Sequence, residues 1–403
     1  MAVAVADFIE KLLSDSGGVV RLKPCWVARD LVPPGRRLGL PEEAYDVGER
    51  GFICERWLAS TTRADNATGP EDEGLSYLGV DGRDLPLRDA VASAPNLFLG
   101  REYAAGHAGL GRLAKVFDYA ARLPYHLHPR PEHARLVSRS SKDEAYYFPE
   151  GIDMGEHPES FLGLHPSFQD PAQHERLLPY LVQWDSDDIL QHARGFVQVP
   201  GEGFHIPSGV LHAPGTALTI ELQEDSDVFA MLQAKNAGRI ISKRLLFKDV
   251  RPQDEARLGE RFILELIDWE ANADPWFYEN RHLRPLPVDG SSQQGGFETW
   301  VYYNTPKFSG KKLVVRPGCT YLSHDIGIYN LFVLRGTGTY GGHRIRGGDA
   351  EMDELLVVHS AAVGGIEVCN DGVADDLVIM KFFGPDLNET MPMIPPAPTR
   401  KLD

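Results

Sequence analysis

A chain of 403 residues has room for two or three domains, each able to bury its own core. With 42% hydrophobic and 25% charged residues, its composition is that of a soluble globular protein. A formal charge of −17 argues against nucleic-acid or anionic-membrane partners, although a local basic pocket for a small substrate can coexist with an acidic exterior. Four cysteines, Cys25, Cys54, Cys319 and Cys369, form no CxxC pair and are expected to be reduced, buried and small. The first ten residues carry no basic n-region and meet Asp7 early, so no signal peptide is read there. No apolar run is long enough to span a bilayer, and a cytoplasmic location is expected.

In chain order, residues 7–13 are predicted as a short amphipathic helix and 19–27 as a strand alternating apolar and basic residues. Residues 30–49 read as a structured loop rich in proline and glycine, 51–59 as a strand, and 61–74 as a polar surface turn region. In 113–119 a lysine, Lys115, interrupts a largely apolar run; a buried ammonium needs a carboxylate or ligand, which makes Lys115 a candidate site residue. Residues 157–194 form an insert predicted to be helical. It opens on Asp170 and Pro171, continues with an apolar face from Leu177, Leu178, Leu181 and Val182, and ends in a second short helix over 187–194. His157, His165, His174 and His192 within it are expected at the surface. In 217–223 strict alternation puts Glu221 on one face with Thr219 and Gln223; if that face is interior, packing alone does not account for the acid. A helix is predicted over 256–269, a linker over 274–296, and a second set of short strands over 297–384, at 312–316, 329–334, 355–359 and 377–383. His324 falls where a first ligand would lie in that second set, but no HxH accompanies it and no histidine follows the 364–367 turn, so no metal is expected there. The proline-rich tail 391–403 is expected to be disordered or draped over the surface.

The motifs that carry chemistry are His126-Leu127-His128-Pro129, Lys142-Asp143-Glu144, and Pro207-Ser208-Gly209-Val210-Leu211-His212. An i, i+2 histidine pair on a strand points both rings to one face, as a chelate requires. Fourteen histidines produce some close pairs by chance, and a lone HxH says little. Here the pair leads into a β-rich run ending at Phe148, and His212 follows a Pro-x-Gly turn and precedes another apolar strand. His126, His128, Glu144 and His212 are therefore the expected ligands of one divalent metal, zinc foremost, with manganese, iron, cobalt and nickel also compatible.

These residues match the cupin pattern, in which a first motif supplies two ligands and a glutamate and a second, Pro-x-Gly-x-x-His, supplies the last histidine. Read with their flanks, they resemble the type I mannose-6-phosphate isomerases. The correspondence runs through Glu55-Arg56-Trp57, Lys115, His126-x-His128-Pro129, Lys142 to Tyr147, Pro207 to Ala213, and Glu221-x-Gln223-x-x-Ser226-Asp227, and it covers roughly residues 50 to 385. The resemblance implies a mainly β protein with two cupin jelly-roll barrels, the N-terminal one metal-binding and the C-terminal one degenerate. Its implied boundaries are an extension over 1–50, a catalytic cupin over 51–235 with its insert at about 155–195, a helical segment and linker over 236–296, a metal-free cupin over 297–390 and a tail over 391–403. It also implies that His128, Glu144 and His212 are zinc ligands, that Lys115 and Lys142 are active-site lysines, and that Glu221 is the proton-transfer acid. Two departures stand out: the family's first ligand is glutamine where this chain has His126, and a family arginine ten residues after the acid is replaced by Met231. Lys235, Arg239 and Arg139 are the nearest candidates to supply the missing cation for substrate binding, and the alternative is an altered substrate range.

The expected activity is a metal-dependent aldose–ketose isomerisation of a sugar or sugar phosphate through a cis-enediol. Glu221 would act as base, Lys142 would stabilise the enediolate, and Lys115 would bind a hydroxyl or phosphate oxygen. Two other readings remain open at this level: a non-catalytic sugar-binding cupin, for which Met231 argues, and a cupin dioxygenase, since three histidines and a glutamate also suit iron or nickel. A monomer or a homodimer is compatible with the sequence.

Overall fold

The computed structural model describes residues 2–80 and 83–397; the end of the tail, 398–403, lies outside the described residues. The N-terminal helix runs over Ala2–Asp15, longer than its apolar stripe alone indicates. The strand expected over 19–27 is two strands, Val19–Lys23 and Cys25–Arg29, divided at Pro24. Proline has no N–H for the ladder, so the chain can change sheets at that residue. Val19–Lys23 pairs with Glu354–Val357, near the C-terminus, whereas Cys25–Arg29 pairs with Phe52–Leu58.

Four sheets form two antiparallel sandwiches. The first joins a seven-stranded sheet, which contains Cys25–Arg29, Phe52–Leu58, Leu113–Phe117, Thr219–Gln223, Glu144–Tyr147 and Gly203–Ile206, to a five-stranded sheet. The five-stranded sheet carries His126–Leu127 between His212–Ala213 and Ala230–Met231. The second sandwich joins a nine-stranded and a four-stranded sheet built largely from residues after 286. Residues of the predicted linker take part in both: His282–Leu283 pairs with Gly203–Phe204, and Leu286–Pro287 with Thr299–Trp300.

Period-2 alternation explains how the sandwiches meet. Val116, Ala145, Tyr147, Ile220 and Leu222 face away from the first interior and pack with Trp300, Tyr302, Met380 and Phe382 of the nine-stranded sheet in one buried cluster. The intervening residues Lys115, Glu144, Tyr146 and Glu221 therefore face inward.

The helical expectations need correction. The 157–194 insert begins and ends as strands, Glu159–Leu164 and Ala193–Val197, which pair with each other. Between them lie 3₁₀ turns and one short helix, Leu178–Gln183. Asp170 does cap, accepting from the Ala172 amide at 3.0 Å, but prolines at 171 and 179 withhold amide donors within a few residues and keep the turns short. The predicted helix over 256–269 is three pieces, Pro252–Leu258, Arg261–Leu266 and Trp269–Asn272, the first ended by Gly259 at φ 54°. His192, expected at the surface, is buried against Phe168 and Tyr180. All four cysteines are free; Cys25 and Cys54 are buried, while Cys319 and Cys369 are half-buried. The tail up to residue 397 is draped: the Ile394 amide donates to Asn304 Oδ1 and the Ala397 amide to Asn280 Oδ1. Among the described residues no helix is long and apolar enough to cross a membrane.

Candidate metal centre

Between the two sheets of the first sandwich, His126, His128 and His212 converge so that one ring nitrogen of each lies within 4.8 Å of the others. His126 and His212 are register partners on adjacent strands. The loop bearing Gly209 is tied to the first motif, since the Gly209 amide donates to the His128 carbonyl at 2.7 Å. Gly209 has φ 84°, and a Cβ there would meet the Arg130 side chain at 2.8 Å, so this turn needs glycine.

Each ring is oriented by a backbone carbonyl. Nδ1 of His126 contacts the Pro124 oxygen at 2.7 Å, Nδ1 of His128 the Val228 oxygen at 2.6 Å, and Nδ1 of His212 the Val210 oxygen at 2.9 Å. A carbonyl only accepts, so each Nδ1 carries the proton and each Nε2 presents a lone pair. Glu144 faces them, with Oε2 3.0 Å from His128 Nε2 and Oε1 3.0 Å from His212 Nε2. Unprotonated nitrogens facing carboxylate oxygens have no hydrogen to share, and His212 Nε2 is a buried atom without a hydrogen-bond partner among the described residues. Three neutral imidazoles and one carboxylate so arranged fit a divalent cation. Burial lowers the His126 pKa well below its usual range and lowers that of His128 to about 3, where Lys142 adds to the effect; both keep their rings neutral for coordination.

From Glu144 a chain of alternating charges crosses the interior. Lys142 Nζ lies 3.1 Å from Glu144 Oε2 and 3.3 Å from Glu221 Oε1. Lys115 Nζ lies 3.3 Å from Glu221 Oε2 and 3.9 Å from Glu55 Oε2. Arg29 then bridges Glu55, at 3.3 Å, and Asp227, at 3.2 Å. All seven side chains are at most 10% exposed. Four carboxylates against three cations leave one negative charge, which a divalent ion would turn into one positive charge. Burial raises the pKa of Glu221 to about 7, and Glu144 adds to this, against the pull of Lys115 and Lys142. Burial alone would lower Lys142, but Glu221 and Glu144 outweigh it and keep the ammonium charged. Burial and Glu144 together push the Tyr146 phenol well above its usual range, and it donates a short hydrogen bond to Glu144.

His126, His128, Glu144, His212, Lys115, Lys142 and Glu221 are thus brought together. Lys235 and Arg239 are not; both are exposed on a separate two-strand hairpin. Arg139 is exposed and pairs with Asp65 at 3.2 Å. Met231 pairs in register with His126 and is buried in an apolar cluster. Sequence reasoning missed Arg29, Glu55 as a charge partner, and Lys248, which contacts Asp65 at 2.7 Å and stands 4.7 Å over the Phe229 ring. Arg29 closes an apolar strand, and that isolated terminal cation was the one available signal.

A jelly-roll sandwich with a His-x-His, a glutamate and a Pro-x-Gly-x-x-His converging in its interior, followed by a second sandwich without that set, has the architecture of the two-barrel cupin fold. Its fold is that of the mannose-6-phosphate isomerases. The Bacillus subtilis mannose 6-phosphate isomerase superposes with a TM-score of 0.64 at 14% identity, covering 91% of this chain and 99% of the other. The Salmonella typhimurium mannose 6-phosphate isomerase bound to a sugar phosphate substrate and zinc gives 0.60 at 11% identity, covering 91% and 100%. A zinc-bound holo mannose 6-phosphate isomerase gives 0.62 at 11% identity over the same shares. No family model and no curated protein matches the sequence.

Proposed function

We propose that this protein is a divalent-metal-dependent aldose–ketose isomerase of the mannose-6-phosphate isomerase type, acting on a sugar or sugar phosphate through a cis-enediol. The observation that carries the reading is the seat of Glu221: a buried carboxylate ion-paired between two lysines, beside the three-imidazole, one-carboxylate donor set. His126, His128, Glu144 and His212 hold the metal, zinc foremost, which when bound supplies a Lewis acid for the substrate's carbonyl and hydroxyl oxygens.

Glu221 removes the C2 proton of the aldose and returns it to C1 of the enediol while the O2 hydroxyl proton passes to O1, which gives the ketose; burial raises the pKa of this carboxylate, which suits both directions. Lys142 stands where it can offset negative charge developing on the substrate oxygens, and Lys115 holds the far oxygen of Glu221 and orients it. Arg29, fixed between Glu55 and Asp227, keeps that wall of the cavity in place.

Met231 supports a second reading, a sugar-binding cupin without turnover, because an apolar side chain there offers no anion contact. The test is proton–deuterium exchange by NMR in heavy water, with metal-loaded protein and mannose, fructose, lyxose and their phosphates. Exchange at C2 with conversion to the ketose is the expected result. Binding of a sugar without exchange would replace the isomerase by the second reading.

A further inference from the structure

The seam between the two sandwiches opens into two adjoining cavities of about 560 Å³ and about 440 Å³, which share Glu150, Arg335 and Val378. Each is of a size that takes a small-molecule ligand. They lie on the reverse face of the catalytic strands: Val116 and Ile220 line the smaller cavity, while their neighbours Lys115 and Glu221 face the metal centre.

The two lobes differ chemically. The larger is edged by Lys312, Arg316 and Arg335. Lys312 is held by Glu150 and by the Tyr147 hydroxyl at 3.0 Å. The Arg316 guanidinium makes one long contact among the described residues, 3.5 Å to the Gln294 carbonyl. The Arg335 guanidinium has no hydrogen bond or ion pair among the described residues, and a β-bulge between Val333 and Arg335 re-aims it. Thr299 Oγ1 lines the same lobe as a buried oxygen without a hydrogen-bond partner among the described residues. The smaller lobe is walled by Leu38, Ile152, Leu218, Ile220, Phe332 and Leu334. At its floor Arg56, 4% exposed, leaves its Nε without a partner although its other nitrogens bind Asp353 and Glu354.

Across both lobes five cations stand with three carboxylates, on a chain whose net charge is −17, but one of the five, Arg37, is already held by Asp118 outside the lobes. Two of those carboxylates, Glu150 and Asp353, are already engaged by Lys312 and Arg56, which leaves Asp376. Two arginines without a carboxylate partner among the described residues, beside an unsatisfied hydroxyl, suit a phosphate, and the adjoining apolar slot suits a flat ring. We propose that this seam is a second ligand site, distinct from the metal cavity, for a nucleotide-like organic phosphate. Its phosphate is held by Arg335, Arg316 and Thr299, its ring lies in the slot against Phe332 and Leu334, and Asp376 faces the hydroxyls of its sugar. Because Ile220 and Val116 form the slot wall, occupancy stiffens the strands that carry Glu221 and Lys115.

The site is tested by calorimetric titration of the full-length metal-loaded protein with AMP, adenosine and inorganic phosphate, beside Arg335→Glu and Arg316→Glu. Both arginines are exposed, so the charge reversals leave the fold intact. AMP is expected to bind at least about tenfold more tightly than either fragment, and each reversal to weaken it by about tenfold or more. Amide hydrogen exchange with AMP is expected to slow at residues 297–299, 314–316, 332–335 and 218–220. The proposal is overturned by the absence of AMP binding at about 1 mM, by phosphate binding as tightly as AMP, by insensitivity to both reversals, or by protection confined to residues around His128 and Glu144.

Discussion

Lys307 of the second sandwich reaches into the first and holds Asp143, the neighbour of Glu144, with Nζ 2.9 Å from Asp143 Oδ1. The same ammonium lies 3.0 Å from Glu224 Oε2, immediately after the strand that carries Glu221. Asp143 also accepts from the Ser208 amide at 2.9 Å, in the Pro-x-Gly turn before His212. One lysine therefore ties the loops bearing Glu144, Glu221 and His212 to the second sandwich. This gives the second sandwich a physical role at the candidate site.

Lys307→Ala is expected to lower stability by about 1–2 kcal/mol and to weaken metal affinity by about tenfold, as loss of an outer partner of a ligand loop does. Lys307→Arg should restore most of both. Urea unfolding and metal titration read the two effects separately; unchanged metal affinity in the alanine variant would show that the tie does not position the ligands.

The second prediction concerns pH. Burial raises the pKa of Glu354 to about 7, helped by Asp353 and opposed by Arg56 and the Ala59 amide. Arg56 is already engaged with both oxygens of Asp353, at 2.8 and 2.5 Å, so it compensates Glu354 only weakly. Between about pH 4.5 and 7 the native state holds a proton on Glu354 that the unfolded chain has lost, so stability falls as pH rises through that window and levels off above it. Glu354→Gln stays neutral throughout. Relative to it, the parent chain should lose about 3 kcal/mol between pH 4.5 and 8. Parallel stability curves for the two proteins would mean that Glu354 ionises normally.

How much of this was legible depended on sequence separation. His126-x-His128 and Pro207-x-Gly209-x-x-His212 are local patterns whose strand and turn geometry fixes where the rings point, so the convergence of the three rings could be read directly. Lys115 and Glu221 were visible as charges in apolar runs, and their register pairing explains why they meet. Arg29 and Lys307 were not visible. Arg29 reaches Asp227 only because Pro24 moves the chain from one sheet to another, and Lys307 acts across two sandwiches. The helix over 256–269 was misread because its apolar periodicity continues across Gly259, where the backbone turns left-handed.

The second sandwich has its own buried charges. Lys381, fully buried, lies 2.8 Å from Asp325 Oδ2 and 2.6 Å from Ser323 Oγ, and also pairs with Glu298; Lys311 meets Asp325 Oδ1 at 2.7 Å. An ammonium thus sits among interior oxygen donors. Lys381→Met would leave Glu298 and Asp325 with only Lys311 and should destabilise the protein by about 3–5 kcal/mol. Metal content of the first sandwich should stay near that of the parent under conditions where both are folded. A loss below about 1 kcal/mol would show that water replaces the ammonium freely.

Metal binding should be visible without any assay of activity. At free metal about one hundred times its dissociation constant, the folded state gains about 2.7 kcal/mol. A chelator should remove that increment from the parent chain, while His212→Ala should show little of it with or without chelator. Equal metal-dependent stabilisation of both proteins would place the ion elsewhere.

Glu221→Gln separates chemistry from assembly. The amide keeps the shape of the side chain but cannot take a proton, so exchange at the substrate carbon should fall by about 10²- to 10⁴-fold. Glu221 lies outside the proposed donor set, so metal content should be unchanged. Lys115 and Lys142 each lose a carboxylate partner 3.3 Å away, although Glu55 and Glu144 remain beside them. Lys142→Met provides the contrast: it leaves the base in place and removes the cation shared by Glu144 and Glu221, so it should slow exchange and weaken metal binding together. If Glu221→Gln retains exchange while Lys142→Met abolishes it with metal still bound, the base is not Glu221, and the proton relay must be redrawn around Lys142.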